Sequence, residues 1–477
     1  MANLSVNHFK RRIWQCNKIP LNLNIFAISV FAAIFFVFDV SEASKGLSSS
    51  IPSHPGALPF HSFTGVKKKE LKAKQEMGSD NGSVRKLSEQ KDRKLEKLEA
   101  GLAKARALIR EAMLRPEQIA PLDDADYVPQ GHIYRNPIAF QRSYHLMERL
   151  FKIFVYEEGE PPLFHFGPCK NIYSMEGVFI NLMEINTQFR TQNPEEAHVY
   201  FLPFSVVMIL EHLFHPVIRD KAVLGRTIGD YVQIISERYP YWNRSHGADH
   251  FILSCHDWGP RATFYVKELY FIAIRALCNA NISEHFNPKK DASFPEINLV
   301  TGESTGLLGG NPPLNRSNLA FFAGGMHGKI RPSLFQHWKN KDKDVLVYDT
   351  MPEGVSYHET MKKSKYCICP SGWEVASPRI AEAIYAECVP VIISQQYVLP
   401  FSDVLNWDSF SVQIELSEIP RLKEILMGIS DDEYIRMQER VKQVQRHFVV
   451  SNPPKRYDVF HMIIHSIWLR RLNVHVK

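Results

Sequence analysis

Residues 366–393 read YCICPSGWEVASPRIAEAIYAECVPVII. The run opens on an apolar strand, Tyr366–Cys369, and breaks at Pro370-Ser371-Gly372, where small side chains let backbone N–H groups approach an anion. A helix is expected over Pro378–Ala386, because proline suits a first helical turn, and a second strand over Val389–Ile393. Strand, glycine break, helix and strand make a parallel βαβ unit, whose ligands gather outside the carboxyl ends of the strands. Ser371 and Gly372 offer the backbone of that loop. Arg379, in the first helical turn, can pair with a diphosphate. Glu382, one turn on, is placed to accept two hydrogen bonds from ribose hydroxyls. Glu374 precedes it by eight residues.

The same grammar extends in both directions. Upstream, Leu319–Ala323 reads as a strand, followed by Gly324-Gly325-Met326-His327-Gly328 and a helix from Arg331 to Trp338. This loop is not a phosphate-binding Walker loop, because Lys329 is followed by Ile330 rather than Ser or Thr. It can still wrap a diphosphate, with Gly324 and Gly325 in the turn and Lys329 and Arg331 as cations. Strands are also expected at Val345–Tyr348, Lys152–Tyr156, His198–Leu202 and His250–Ser254. Helices are expected at Met175–Phe189, with Ser174 as its cap, at Thr227–Arg238, at Tyr357–Lys363 and at Asp431–His447. Residues 285–318 hold four prolines and read as an inter-domain link. The fold class is therefore α/β, with two Rossmann-like domains facing a cleft.

The N-terminal region differs in character. Residues 19–38, IPLNLNIFAISVFAAIFFVF, carry no charge and are long enough as a helix to cross the ~30 Å of a bilayer core. Lys10, Arg11, Arg12 and Lys18 precede them, and Asp39 and Glu42 follow, which puts the N-terminus in the cytosol and the remainder across the membrane. The alternative is a signal peptide cleaved near Ser41-Glu42-Ala43. Residues 41–66 are rich in Ser, Gly and Pro and read as a flexible stalk. Leu95, Leu98, Leu102, Ala105, Ile109 and Ala112 then form an apolar seam on a helix over 88–115, either resting on the body or forming a short dimerising coil.

Net charge is +6, but residues 1–115 carry 20 basic and 10 acidic side chains, so the body is slightly acidic. The basic footprint of a nucleic-acid binder is absent from it. Sequons stand at Asn81, Asn243, Asn281 and Asn315. Six of the seven cysteines follow the apolar segment, an even number that permits disulfides. No bridge is expected between Cys367 and Cys369, two residues apart in one strand-like run.

Five stretches taken together, in this order, carry a family resemblance: FKIFVYEEGEPP, NPEEAHVYFLPFS, DHFILSCHDWGP, LAFFAGGMHGKIRPSL and SKYCICPSGWEVASPRIAEAIYAECVPVIIS. Over about residues 145–455 the chain resembles the plant exostosin-like glycosyltransferases, family 47 of the sugar transferases. The resemblance implies a GT-B fold and an inverting transfer from a nucleotide sugar, usually UDP-linked, to a wall polysaccharide or related glycan. It also implies a Golgi type II membrane enzyme. An inverting transfer needs a general base on the acceptor side. His256-Asp257, at the carboxyl end of a strand, are the leading candidates, because a neighbouring Asp can orient a His and raise its basicity. Asp249-His250, His165, Glu157 and Glu158 are the others.

No metal site is expected. The only Asp-x-Asp triplets, Asp124-Ala125-Asp126 and Asp342-Lys343-Asp344, lie in polar turns. Without a bound ion, the leaving diphosphate must be neutralised by Arg331, Arg379 and backbone dipoles. The expected organisation is a cytosolic tail over 1–18, an anchor over 19–38, a lumenal stem over 39–130, an acceptor-side domain over 131–310, a nucleotide-sugar domain over 311–430 and a C-terminal helix and tail over 431–477. The expected activity is transfer from a UDP-sugar to a wall-type glycan in the Golgi, with no cofactor. Expected partners are the donor, the glycan, the membrane through one helix, and a second transferase or another copy in an oligomer, with no nucleic acid. The alternative is a non-catalytic partner subunit of another transferase.

Overall fold

The computed structural model describes residues 81–118, 124–304 and 306–476. The expected tail, anchor and stalk lie outside the described residues. Among the described residues, no helix is long and apolar enough to cross a membrane.

Two parallel sheets organise the body. The first contains β1 (Ile153–Val155), β2 (Arg190–Thr191), β3 (Val199–Phe201), β4 (His250–Ser254), β5 (Ile274–Leu277) and β6 (Ala292–Ser293), in the order β2-β1-β3-β4-β5-β6. The second contains β7 (Asn318–Ala323), β8 (Val345–Tyr348), β9 (Ser364–Pro370), β10 (Val389–Ile393) and β11 (Val412–Gln413), in the order β11-β10-β9-β7-β8. Every pairing is parallel. Helices therefore cover both faces, which is why β1, β3, β4 and β10 are buried at every residue and read as unbroken apolar runs. Each sheet reverses its direction of winding once, between β1 and β3 in the first and between β7 and β9 in the second, and such a reversal opens a crevice at the carboxyl ends of the strands.

Three elements depart from expectation. The helix expected over Met175–Phe189 is Ser174–Ile185; its cap is Tyr173, and the Ser174 hydroxyl instead donates to the Ile297 carbonyl at 2.7 Å. The expected linker over 285–318 contains β6, which completes the first sheet. The C-terminal segment ends in a helix, Val459–Arg471, that returns to the first sheet and packs on β5 and β6. Its Trp468 meets Phe151 edge-on at 5.3 Å and its Phe460 meets Phe179 at 5.4 Å. Burying one such aromatic side chain contributes roughly 1.5–3 kcal/mol. Arg471 donates to the His198 carbonyl at 2.6 Å and pairs with Glu99 of the Asn81–Leu114 helix. Leu102, Ala105 and Ala112 of that helix are buried, so the seam rests on the body.

Two disulfides brace the strand ends. Cys255–Cys278 joins the residues just after β4 and β5, and Cys367–Cys388 joins β9 to the residue before β10. Cys369 is buried and unbridged.

Candidate functional site

The crevice of the second sheet is built by two loops that only glycine allows to meet. Gly328 has φ +72°, and a side chain there would place Cβ 1.7 Å from the Gly372 carbonyl oxygen. Gly324 has φ +156°, and a Cβ would fall 2.1 Å from Nη2 of Arg379. A cavity of about 380 Å³ opens beside these loops, and the carboxyl ends of the first sheet contribute its opposite wall.

Two guanidiniums form one side of the cavity. Nε and Nη2 of Arg379 both donate to the Ala323 carbonyl, at 3.2 and 3.0 Å. Nη1 of Arg331 donates to the Gly325 carbonyl at 3.0 Å. Both cations lie against the Phe322 ring, 5.1 and 5.7 Å from its centroid. Burial, and then the like charge of Arg379, draw the Arg331 guanidinium down to about 10. Arg331 is 6% exposed, and its Nε finds no hydrogen-bond partner among the described residues; neither does Oγ of Ser377, which is 4% exposed. Both residues line the cavity. Buried donors without partners, beside two confined cations, suit an anionic ligand.

Carboxylates dominate the rest of the wall. Glu382 accepts from the Tyr357 hydroxyl at 2.7 Å and from Nδ2 of Asn298 at 3.4 Å. Asp257 lines the cavity from the end of β4, and burial pushes its carboxyl up against an opposing hydrogen bond from Tyr173. Nδ2 of Asn279, just after β5, is 3.0 Å from Oε2 of Glu374, 2.8 Å from Oε2 of Glu284 and 3.0 Å from the Asp257 carbonyl. One amide thus joins acids from both walls. Burial, and then Glu284, raise Glu374 to about 7. Burial and the charge of Asp257 push Glu296 well above the carboxylate range.

The first-sheet wall is fixed from behind by Glu176. Its buried carboxylate accepts from the Ser205 hydroxyl (2.6 Å), Val207 N–H (3.0 Å), Ser254 hydroxyl (2.9 Å) and Cys255 N–H (2.9 Å). This holds the end of β4 immediately before His256-Asp257.

The cavity brings together five residues expected from the sequence: Asp257, Arg331, Gly372, Arg379 and Glu382. The others stand behind it. Nδ1 of His256 accepts the Trp258 N–H at 2.9 Å, and its ring lies 4.7 Å from that of Tyr173. Burial draws the imidazole down to about 4, so it is neutral with its proton on Nε2 and presents a donor. Ser371 turns inward, its hydroxyl bonded to Ser394 at 2.6 Å and to the Val375 carbonyl at 3.2 Å. Gly324 and Gly325 act through space and through a carbonyl, by giving room to Arg379 and a partner to Arg331. The helix after the second loop, Arg379–Tyr385, is under two turns long, so Arg379 and the loops carry the local positive character rather than its dipole. Tyr173, Asn279, Glu296, Asn298 and Tyr357 carry no motif in the sequence, and only the topology gathers them; Ser377 lies within the 366–393 stretch, where its neighbours Pro378 and Arg379 drew the reading.

The Asp-x-Asp triplets are held by cations. Asp124 and Asp126 lie 2.7 and 3.9 Å from Arg456, and Asp342 and Asp344 lie 2.7 and 2.8 Å from Lys423. Of the sequons, Asn243 and Asn315 are exposed. Asn281 is 9% exposed and accepts from the Ser283 N–H and hydroxyl, so a glycan there requires that turn to open. The Asn81 side chain lies outside the described residues.

The chain is similar to known proteins. The family model of the exostosin GT47 domain matches residues 147–429. A probable glycosyltransferase of Arabidopsis thaliana is 59% identical over 470 residues, covering 96% of this chain and 98% of that protein. A second from the same plant is 58% identical over 383 residues, covering 80% and 73%. A probable glucuronosyltransferase of Oryza sativa subsp. japonica is 28% identical over 324 residues, covering 63% and 72%.

Proposed function

The chain belongs to the exostosin GT47 family of glycosyltransferases, and on that premise we propose that it transfers a sugar from a UDP-sugar to a wall-type glycan with inversion. The observation that carries the reading is the pair Arg331 and Arg379, with an unpartnered buried Nε, facing Asp257 across one cavity.

In this mechanism the diphosphate lies along Arg331 and Arg379, and Gly372 allows its close approach. Glu382, held by Tyr357 and Asn298, receives the ribose. The acceptor hydroxyl enters from the first-sheet side. Its proton passes to the Asp257 carboxylate as its oxygen bonds to the anomeric carbon, and the bond from that carbon to the β-phosphate oxygen breaks with its electron pair leaving on UDP. Burial strengthens Asp257 as a base. His256, with Nδ1 committed to Trp258, orients the turn rather than taking the proton. The two arginines stabilise the charge that develops on UDP.

The setting is the Golgi lumen, with residues 19–38 as a type II anchor; the long uncharged run behind four basic residues supports this. Both Asp-x-Asp triplets are engaged by Arg456 and Lys423, which supports a transfer that needs no divalent ion. The test is UDP release by the full-length chain from a panel of UDP-sugars with solubilised wall glycans, with and without excess EDTA. Turnover that persists in EDTA is expected. Complete loss on chelation, restored by manganese, overturns the metal-independent mechanism, and failure of UDP to bind overturns the nucleotide site.

A further inference from the structure

The cavity is lined by more carboxyls than guanidiniums. Arg331 and Arg379 are its two guanidiniums, and four carboxyls line the same cavity, Asp257 and Glu296 from the first-sheet side and Glu374 and Glu382 from the second. A UDP-sugar bound as proposed above uses both cations, since its diphosphate carries two negative charges. His327, the remaining basic side chain on the wall, is exposed, and burial and the two arginines lower its affinity for a proton. The sugar, which projects from the phosphates toward the first sheet, meets Asp257 and Glu374.

We propose that the transferred sugar is neutral, a hexose or pentose without a carboxylate, and that the site rejects UDP-uronic acids. The proposal rests on the nucleotide reading of the cavity. The geometry that carries it is the junction at Asn279, where one amide nitrogen sits within 3.0 Å of Glu374 and 2.8 Å of Glu284 while touching the Asp257 carbonyl. Two N–H bonds are shared among three oxygen acceptors, so the carboxyls already lack donors. A uronate would add another acceptor and another negative charge where no cation remains. A sugar hydroxyl does the reverse, because it brings a proton to donate. The raised proton affinities of Asp257, Glu296 and Glu374 agree: this wall does not ionise all its own acids, and a further anion is disfavoured.

UDP-glucose and UDP-glucuronic acid differ only at C6 and isolate the effect. The experiment is calorimetric titration of the full-length chain at pH 7.5 with UDP, UDP-glucose and UDP-glucuronic acid. UDP-glucuronic acid is expected to bind at least tenfold more weakly than UDP-glucose. Glu374→Gln, which removes the carboxyl that still ionises near neutral pH, should narrow that ratio at least threefold without changing the affinity for UDP. Equal or tighter binding of the uronate by the parent chain overturns the proposal. A ratio that Glu374→Gln leaves unchanged overturns the assignment to this carboxyl. UDP failing to bind overturns the underlying nucleotide reading, a result separable from either of these.

Discussion

The two walls of the cavity present opposite charges and are held in opposite ways. On the second-sheet side, Arg331 and Arg379 are anchored to carbonyls of their own glycine loop, and each retains N–H groups for a ligand. On the first-sheet side, the acids are crowded. Glu284 and the reaching Glu374 share one asparagine amide that also touches the Asp257 backbone carbonyl, and burial raises all three acids. Glu176, packed behind the end of β4, is raised by burial too, but it has four donors on its two oxygens. Each wall suits a different step of the proposed transfer. Preorganised cations stabilise charge that appears on a leaving group, whereas a carboxylate short of donors gains by taking a proton.

The largest effect is expected at the acid wall. Asp257→Asn keeps the shape and removes the proton acceptor, and turnover should fall by ~10³-fold, within the range for general-base loss. UDP affinity should hold within about twofold, measured by calorimetry on the same preparation. Retained turnover would move the base to another acid of this wall.

At the cationic wall, Arg379→Met should lower turnover by ~10²-fold, the scale of one lost charge-stabilising group, and weaken UDP binding as well. A loss in rate without a loss in UDP affinity would mean that the guanidinium meets the diphosphate only in the transition state.

How legible each wall is in the sequence follows from the same contrast. The second-sheet site lies within residues 366–393 and 321–331, where strands buried on both faces read as apolar runs and the functional residues follow the strand ends. The first-sheet wall is dispersed. β5 contains Arg275, whose charge is hidden by a buried pair with Asp291 at 2.6 Å, so the strand has no clean apolar signature. Glu296 and Asn298 stand in a proline-rich stretch that reads as a link and in fact crosses the site. The choice between His256 and Asp257 cannot be read from neighbouring letters; one backbone N–H, that of Trp258, captures the imidazole nitrogen and leaves the carboxylate facing the cavity. The last helix reads as a tail because its long-range partners, Phe151 and Phe179, are invisible to local periodicity.

The acid wall should also register in stability. Glu374 holds its proton to about 7 in the folded chain, against an ordinary value of 4.5. The folded chain thus binds this proton across a window where the unfolded chain has released it. The contribution is full below that window and is lost as pH rises through about 7. Glu374→Gln should remove part of the loss, on the order of 1 kcal/mol after allowing for solvent at this half-buried group. Urea midpoints of parent and variant at pH 5.5 and 8 measure it. A parent-variant difference that does not change with pH would show that the acids are not competing for protons.

The smallest expected effect lies at the rim. Trp373 is 78% exposed, adjoins Glu374 and lines the cavity, and its ring lies 6.3 Å from that of His327. A large aromatic face left in water beside a sugar site suits stacking on a sugar ring, worth about 0.5–1.5 kcal/mol for an aromatic contact. Trp373→Ala should therefore raise the KM for the glycan several-fold and leave UDP affinity unchanged, because the exposed indole stands at the rim while the Arg331 guanidinium is buried. If UDP affinity fell instead while the glycan KM held, Trp373 would belong with the arginines, and the division of the cavity into a leaving-group wall and an acceptor wall would have to be redrawn at this residue.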